Sequence, residues 1–362
     1  MEFNPDPAQW SDLPDKTMTE MIFNQPLQQL ITGHLDPELN WHSRCHPIKG
    51  YLPQYDTAPL FIKREDELNA NAVGTKHRKY LSLLPNLQHS GIKQVILIGS
   101  AHSNNVFGLS QMLLSLGYQV TALVKAPGNR ALTGNHLLLN MLLPPSQIVY
   151  LTHQEWPKVL QMAEAMSLKL NRQGIKTTVI PEGGYSEAVL PGILTLAGDI
   201  QKNSDQLNTQ FEGIWTDSGT GVSAIGLLLG MRLLGITEPT VHITQIAGTP
   251  EEFHQRYRQF EKWMEKLQRS PLPKPAPKVR LLRPATAASY GSINKTLLKE
   301  SWIIARETGL LMDPVYSVKH LYTVKCEMML AQPIGPQLVL YNGGTLGMSG
   351  FQSQLASQES IV

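Results

Sequence analysis

A lysine set where a buried strand gives way to a helix can act as an aldehyde-capturing nucleophile, and Lys76 holds such a place in the stretch 61–80. Burial and neighbouring cations depress a lysine's pKa, and a partly deprotonated amine forms a Schiff base with a carbonyl cofactor. The chain carries 31 lysines and arginines, most of which must be solvated, so Lys76 acquires meaning only from its partners.

One set of partners lies at 213–226, which reads as a strand, a turn rich in glycine, serine and threonine, and the apolar start of a helix. Such a turn can cradle a phosphate. Gly219 and Gly221 let backbone amides approach an anion, Thr220 and Ser223 add hydroxyl donors around Val222, and the helix N-terminus supplies partial positive charge. A plain strand-to-helix turn capped by serine or threonine would show the same residues. Gly219, Gly221 and Ala224 also satisfy a dinucleotide pattern, but that site wants a carboxylate about 20 positions on. The strand at 241–248 offers Gln245 instead, so a cofactor with a single phosphate fits better.

A second constellation follows the apolar run 95–98. Ser103 and Asn104 fall at a helix N-terminus on a sheet's carboxyl edge, where α/β proteins place ligands. Asn104 can hydrogen-bond a ring hydroxyl, and Ser103 can bind a substrate carboxylate or relay a proton; taken alone, the segment reads more readily as an Asn/Ser helix cap. His102 reads as a polar loop residue. Tyr290 and Tyr316 each stand beside a helix-breaking residue and can serve as acid, base or carboxylate-positioning groups. Interior packing with a partnered hydroxyl is the plain alternative. The apolar run 338–341 ends in Asn342 and two glycines, leaving a polar side chain at a strand's carboxyl end.

These groups need a scaffold, and strands alternating with helices from about residue 90 to 250 indicate a parallel sheet wrapped by helices. Strands are predicted at 95–98, 120–124, 148–151, 178–181, 213–216, 241–246 and 337–341. Helices are predicted at 105–116, 154–171, 188–202, 223–234, 251–268, 294–307 and 318–330. Residues 270–278 hold four prolines in nine positions and read as a surface connection. The first ~50 residues and the polar tail after Phe351 read as appendages.

The 362 residues suffice for two or three structural units. A net charge of +2 gives no field that would draw nucleic acid or an anionic membrane. Cys45 and Cys326 lie far apart without ligand spacing, as expected for reduced thiols in a cytoplasmic protein, and no metal site is expected. Residues 1–20 carry Glu2, Asp6, Asp12 and Asp15 and lack the apolar segment of a secretory signal. No run of ~18 apolar residues could cross a bilayer.

Taken in order, these parts resemble the fold-type II pyridoxal-phosphate enzymes, and more closely the family of 1-aminocyclopropane-1-carboxylate deaminase and D-cysteine desulfhydrase. The resemblance spans about residues 58–350. It rests on Lys63, Arg64, Glu65 and Asp66, then on Gly74, Thr75, Lys76, His77, Arg78 and Lys79. It continues through His102, Ser103 and Asn104, the turn 218–223, and the block Asp313, Pro314, Val315 and Tyr316. The resemblance implies a two-domain α/β fold like the tryptophan synthase β chain, each domain a mostly parallel twisted sheet with helices on both faces.

By the same resemblance a small domain at 81–195 is inserted in a large pyridoxal-phosphate-binding domain formed by 58–80 and 196–350. Residues 1–57 form an N-terminal extension packed on it, 269–279 a proline-rich connection and 351–362 a tail. Pyridoxal 5'-phosphate is the implied cofactor, lying in the cleft. Lys76 is then the Schiff-base lysine, Asn104 contacts the 3-hydroxyl, and Gly219, Thr220, Gly221, Val222 and Ser223 hold the phosphate. Asn342 faces the pyridine nitrogen, where its amide can donate a hydrogen bond, which gives a modest electron sink. Ser103, Tyr290 and Tyr316 line the site for a small amino acid, and a homodimer is implied.

The implied activity is deamination by α-proton abstraction and β-elimination, giving a keto acid and ammonia. Thr75, His77 and Asn105 depart from the family pattern, and Tyr341 with Asn342 replaces the desulfhydrase His-Thr pair. Ser317 follows Tyr316 where the ring-opening deaminases carry a glutamate, which favours the desulfhydrase-like reaction. Opening of the cyclopropane ring, or another amino-acid substrate on a divergent pyridoxal-phosphate protein, are the alternatives.

Overall fold

Two sheets organise the molecule. The computed structural model describes residues 25–52, 59–69, 73–128 and 132–358; the acidic residues noted in the first twenty positions lie outside them. The elements run α1 (Gln25–Ile31), β1 (Cys45–Pro47), β2 (Leu60–Arg64), α2 (Lys76–His89), β3 (Gln94–Ser100), α3 (Asn104–Ser115), β4 (Gln119–Lys125) and α4 (Gly134–Leu142). Next come β5 (Ile148–Leu151), α5 (Val159–Arg172), β6 (Thr177–Ile180), α6 (Leu190–Leu207), β7 (Gly213–Ser218), α7 (Val222–Leu233), β8 (Thr240–Gln245) and α8 (Pro250–Gln268). The chain closes with β9 (Val279–Leu282), α9 (Lys295–Thr308), α10 (Ser317–Ala331), β10 (Gln337–Tyr341) and α11 (Gln352–Ala356).

The four-stranded sheet has the order β5-β4-β3-β6 and is parallel throughout. The six-stranded sheet, β1-β2-β10-β7-β8-β9, draws on both parts of the chain flanking the other sheet and is parallel apart from β1. Central strands covered on both faces need continuous apolar runs. Accordingly β7 and β10 are buried along their whole length and β3 at all but its ends.

Each predicted strand forms, with ends shifted by one or two residues at several of them. The pattern did not reveal β1 or β9, which are the two edge strands of the six-stranded sheet and are short and partly exposed. Nor did it reveal α1 or α4. Leu27 and Ile31 of α1 are fully buried in the main core, so this part of the N-terminal region is built into the molecule. The proline-rich connection sends Leu272 inward and accepts a hydrogen bond from Arg232 Nε at Pro273 O. Among the described residues no helix is long and apolar enough to cross a membrane.

Parallel strands bring their carboxyl ends to one edge, where loops can gather functional groups. The start of α2 and the end of β10 are held together there by direct backbone packing. Gly74 has φ of +60°, and a Cβ on it would lie 2.0 Å from Asn342 O. Thr75 N donates to that same oxygen at 3.1 Å. Gly74→Ala is therefore expected to destabilise the protein by more than ~1 kcal/mol, read as a lower urea midpoint.

Candidate active site

A cavity of about 260 Å³ opens at this edge, and every site residue predicted from the sequence lines it: Lys76, Ser103, Asn104, Gly219, Thr220, Gly221, Val222, Ser223, Tyr290, Tyr316 and Asn342. Lys76 is the first residue of α2 and is half-buried. Its Nζ lies 5.7 Å from the centroid of the Tyr316 ring. The turn after β7 ends at Gly221, whose φ of +90° suits glycine, and no side chain caps the helix that follows. The simple capped turn is thereby set aside: the first amides of α7 point to the cavity end without a side-chain acceptor, as an anion site requires.

At the end of β3, Ser103 is the helix cap, its Oγ accepting from Val106 N at 3.2 Å. The capping explanation thus holds for Ser103, though its hydroxyl hydrogen stays available at the cavity wall. Asn104 is the first residue of α3 and is not the cap. Its Oδ1 accepts from Asn135 Nδ2 at 2.5 Å, and the same Nδ2 reaches His102 O at 3.2 Å. With its oxygen engaged, Asn104 is left with Nδ2 as the group to offer a ligand.

The tyrosines are not ordinary interior residues. Tyr290 is 49 % exposed, and its ring stands edge-on to that of Tyr316 with centroids 6.0 Å apart. Burial, followed by the neighbouring Tyr290, pushes the Tyr316 phenol well above its usual value, so at neutral pH it is a proton donor. Asp313, from the Asp-Pro-Val-Tyr block, orients this segment: its carboxylate accepts from the amides of Val315, Tyr316 and Ser317 at 3.0, 2.8 and 3.2 Å. Ser317 is buried and its Oγ donates to Gly343 O at 3.1 Å.

Asn342 corrects one expectation. Its Nδ2 donates to Thr216 Oγ1 at 3.0 Å and to Asp217 Oδ1 at 2.8 Å, so both amide hydrogens are spent and cannot reach a ring nitrogen. The buried Oδ1 has no partner among the described residues, and the same is true of Thr75 Oγ1 and Asn105 Oδ1 in the cavity wall.

Other cavity residues were not singled out as functional from the sequence. Lys79 lies three residues after Lys76, a spacing that shares a helix face, and its Nζ donates to Gly183 O at 2.6 Å. Burial, and secondarily the charge of Lys76, brings its pKa down to about 7. Arg256 of α8 donates to Thr220 O at 3.0 Å, behind the glycine turn. Glu182, also in the wall, is raised by burial against the opposing charges of Arg256 and Lys125.

The two-sheet architecture recurs in proteins of known structure. A crystal structure described as an ACC deaminase homologue superposes with a TM-score of 0.78 at 23% identity, covering 92% of this chain and 99% of that one. Processed threonine deaminase isoform 2 from Solanum lycopersicum gives 0.59 at 13% identity, covering 100% of this chain and 99% of the other. No family model matches the chain. Among curated proteins, one from Pyrococcus abyssi provisionally named a 1-aminocyclopropane-1-carboxylate deaminase is 26% identical over 318 residues, 85% of this chain and 92% of its own length. The D-cysteine desulfhydrase of Serratia proteamaculans is 24% identical over 328 residues, 88% and 97% of the two chains. The chain is thus similar to both groups over most of its length.

Proposed function

We propose that the protein is a pyridoxal-phosphate-dependent lyase that removes an α-proton and a β-leaving group from a small amino acid, the enamine so released being hydrolysed by water to a keto acid and ammonia, in the manner of D-cysteine desulfhydrase. One observation carries the reading: Lys76, Asn104 with its Nδ2 left to offer, the uncapped turn after Gly219 and Asn342 with its unpartnered Oδ1 all line a single cavity. These donors and acceptors fit the aldehyde, the 3-oxygen, the phosphate and the ring of pyridoxal phosphate. Lys76 would join the aldehyde and Asn104 donate to the 3-oxygen. Gly219, Thr220, Gly221, Val222 and Ser223 would hold the phosphate.

Bound pyridoxal phosphate supplies an electron sink for the pair left when the α-proton departs. The chain supplies the proton handling. The Lys76 amine is the base at the substrate α-carbon, and the Tyr316 hydroxyl, kept protonated by its surroundings, is the donor facing it. Ser103 offers its hydroxyl hydrogen to the substrate carboxylate while its oxygen remains on Val106 N. Tyr290 stands at the exposed side of the cavity and helps exclude water once substrate is bound. Ser317, with its hydroxyl directed to Gly343 O, brings no carboxylate for opening a strained ring, which favours a substrate with a leaving group already in place. The test is a spectrum followed by a panel. Purified protein mixed with pyridoxal phosphate is expected to gain a visible absorption band and then to release keto acid from one or more members of a set of D- and L-amino acids, D-cysteine first. A band without product from any member would reject the lyase reading.

A further inference from the structure

The amide of Asn342 has one orientation available to it. A carboxylate oxygen only accepts, so the contact with Asp217 Oδ1 must be made by Nδ2, and Thr216 Oγ1 takes the second hydrogen. This leaves Oδ1, in a side chain that is 3 % exposed and belongs to the cavity lining, without a donor among the described residues. A buried acceptor left unpaired is costly, so the site is built to receive a donor at that point. Thr75 and Asn105 also have unpartnered oxygens, but only the Asn342 amide is locked at its other end by a carboxylate.

The ring geometry identifies the donor, on the reading that pyridoxal phosphate is the ligand. A pyridine held at its 3-oxygen, its 4-aldehyde and its 5-phosphomethyl group by Asn104, Lys76 and the turn after β7 turns its nitrogen to the opposite side. The carboxyl ends of β7 and β10, which are neighbours in the sheet, bring Asp217 and Asn342 into the cavity wall. An unprotonated ring nitrogen would set its lone pair against the lone pairs of Oδ1. A protonated one donates to it in a charge-assisted bond, and the Asp217 carboxylate behind the amide adds negative potential. We propose that Asn342 holds the cofactor's ring nitrogen in its protonated state, through an amide oxygen locked in place by Asp217 and Thr216. Asp217 acts through Asn342 and is a positioning residue. The electron sink is then a strong one, contrary to the expectation from the sequence. The other ionisable groups around this pair are Asp313, Tyr316 and His320, of which His320 is held by Thr244 through its Nδ1 at 2.9 Å.

Nuclear magnetic resonance of the holoprotein carrying pyridoxal phosphate labelled with heavy nitrogen in its ring reads the protonation directly. The wild type is expected to resonate at the protonated position from mildly acidic to mildly basic pH. Asn342→Thr is expected to keep the visible band but shift the nitrogen downfield to the free-pyridine position. Asp217→Asn removes the charge and is expected to bring deprotonation to lower pH, which serves as the second variant if the threonine change prevents binding. A free-pyridine signal in the banded wild type, or a protonated one in Asn342→Thr, overturns the proposal alone. Absence of any band in the wild type overturns the cofactor reading and the proposal with it.

Discussion

Lys76→Ala is expected to remove the visible band that the protein confers on pyridoxal phosphate and to lower keto-acid release by at least ~10²–10⁴-fold, the range a positioned base supplies. The fold should scarcely register the change. Lys76 Nζ makes no hydrogen bond or ion pair among the described residues beyond its approach to the Tyr316 ring, and such a contact is worth ~0.5–1 kcal/mol at a partly exposed position. Lys76→Arg separates charge from chemistry, because it keeps a cation over Tyr316 and cannot link an aldehyde; it too is expected to lack the band. The prediction is sharp because a rival amine sits one helical turn away. Lys79 has a pKa brought to about 7 by burial and then by the charge of Lys76. Its Nζ, however, is held on Gly183 O at 2.6 Å, which ties it to the wall that meets Thr220. A band that survives Lys76→Ala and disappears in Lys79→Met would reverse the assignment.

The contrast between those two lysines shows what local sequence could and could not reveal. Strand ends and glycine turns were legible because buried parallel strands must be continuously apolar, and their polar terminators Ser103, Asn104, Ser218 and Asn342 stand out against them. Five of the residues facing the cavity come from the one turn 219–223. Arg256 was not legible, because nothing in the charged face of α8 distinguishes it from Arg258; its value comes from reaching Thr220 O across 36 residues of chain. Asn135 is equally hidden, in a helix that the pattern did not indicate. The amide orientation of Asn342 depends on Thr216 and Asp217, whose proximity only the pairing of β7 with β10 creates. Residue types set what chemistry is available, while long-range pairing decides which atom of each side chain is offered.

The same dependence on distant partners makes Arg78→Met the most destabilising single change expected outside the cavity. All five donor hydrogens of Arg78 are engaged: Nε and Nη2 fork onto Glu65 at 2.6 and 2.7 Å, Nη2 also meets Asp199 at 2.6 Å, and Nη1 reaches Trp41 O and Thr195 Oγ1 at 2.9 and 3.0 Å. Lys63 joins the cluster 2.7 Å from Asp199, whose other oxygen meets His42 Nδ1 at 2.5 Å, and the side chains of Arg78, Lys63, Glu65 and Asp199 are at most 1 % exposed. Two cations and two carboxylates balance. Removing the guanidinium strands one buried negative charge, a loss of ~3–5 kcal/mol; it also loosens α2 two residues after Lys76. The pH dependence separates charge from packing. Burial alone would raise Glu65 and Asp199, but Arg78 and Lys63 outweigh it and hold both below the usual carboxylate range. A carboxylate depressed in the folded state contributes stability that is present above its unfolded pKa of ~4 and is lost as pH falls through the folded value. In urea unfolding, the gap between wild type and Arg78→Met should therefore be full at neutral pH and should narrow as the solution is acidified below ~4. A gap that stays constant into acid would assign the loss to packing of the arginine stem, and no gap at neutral pH would show that the buried cluster does not hold the Lys76 turn in place.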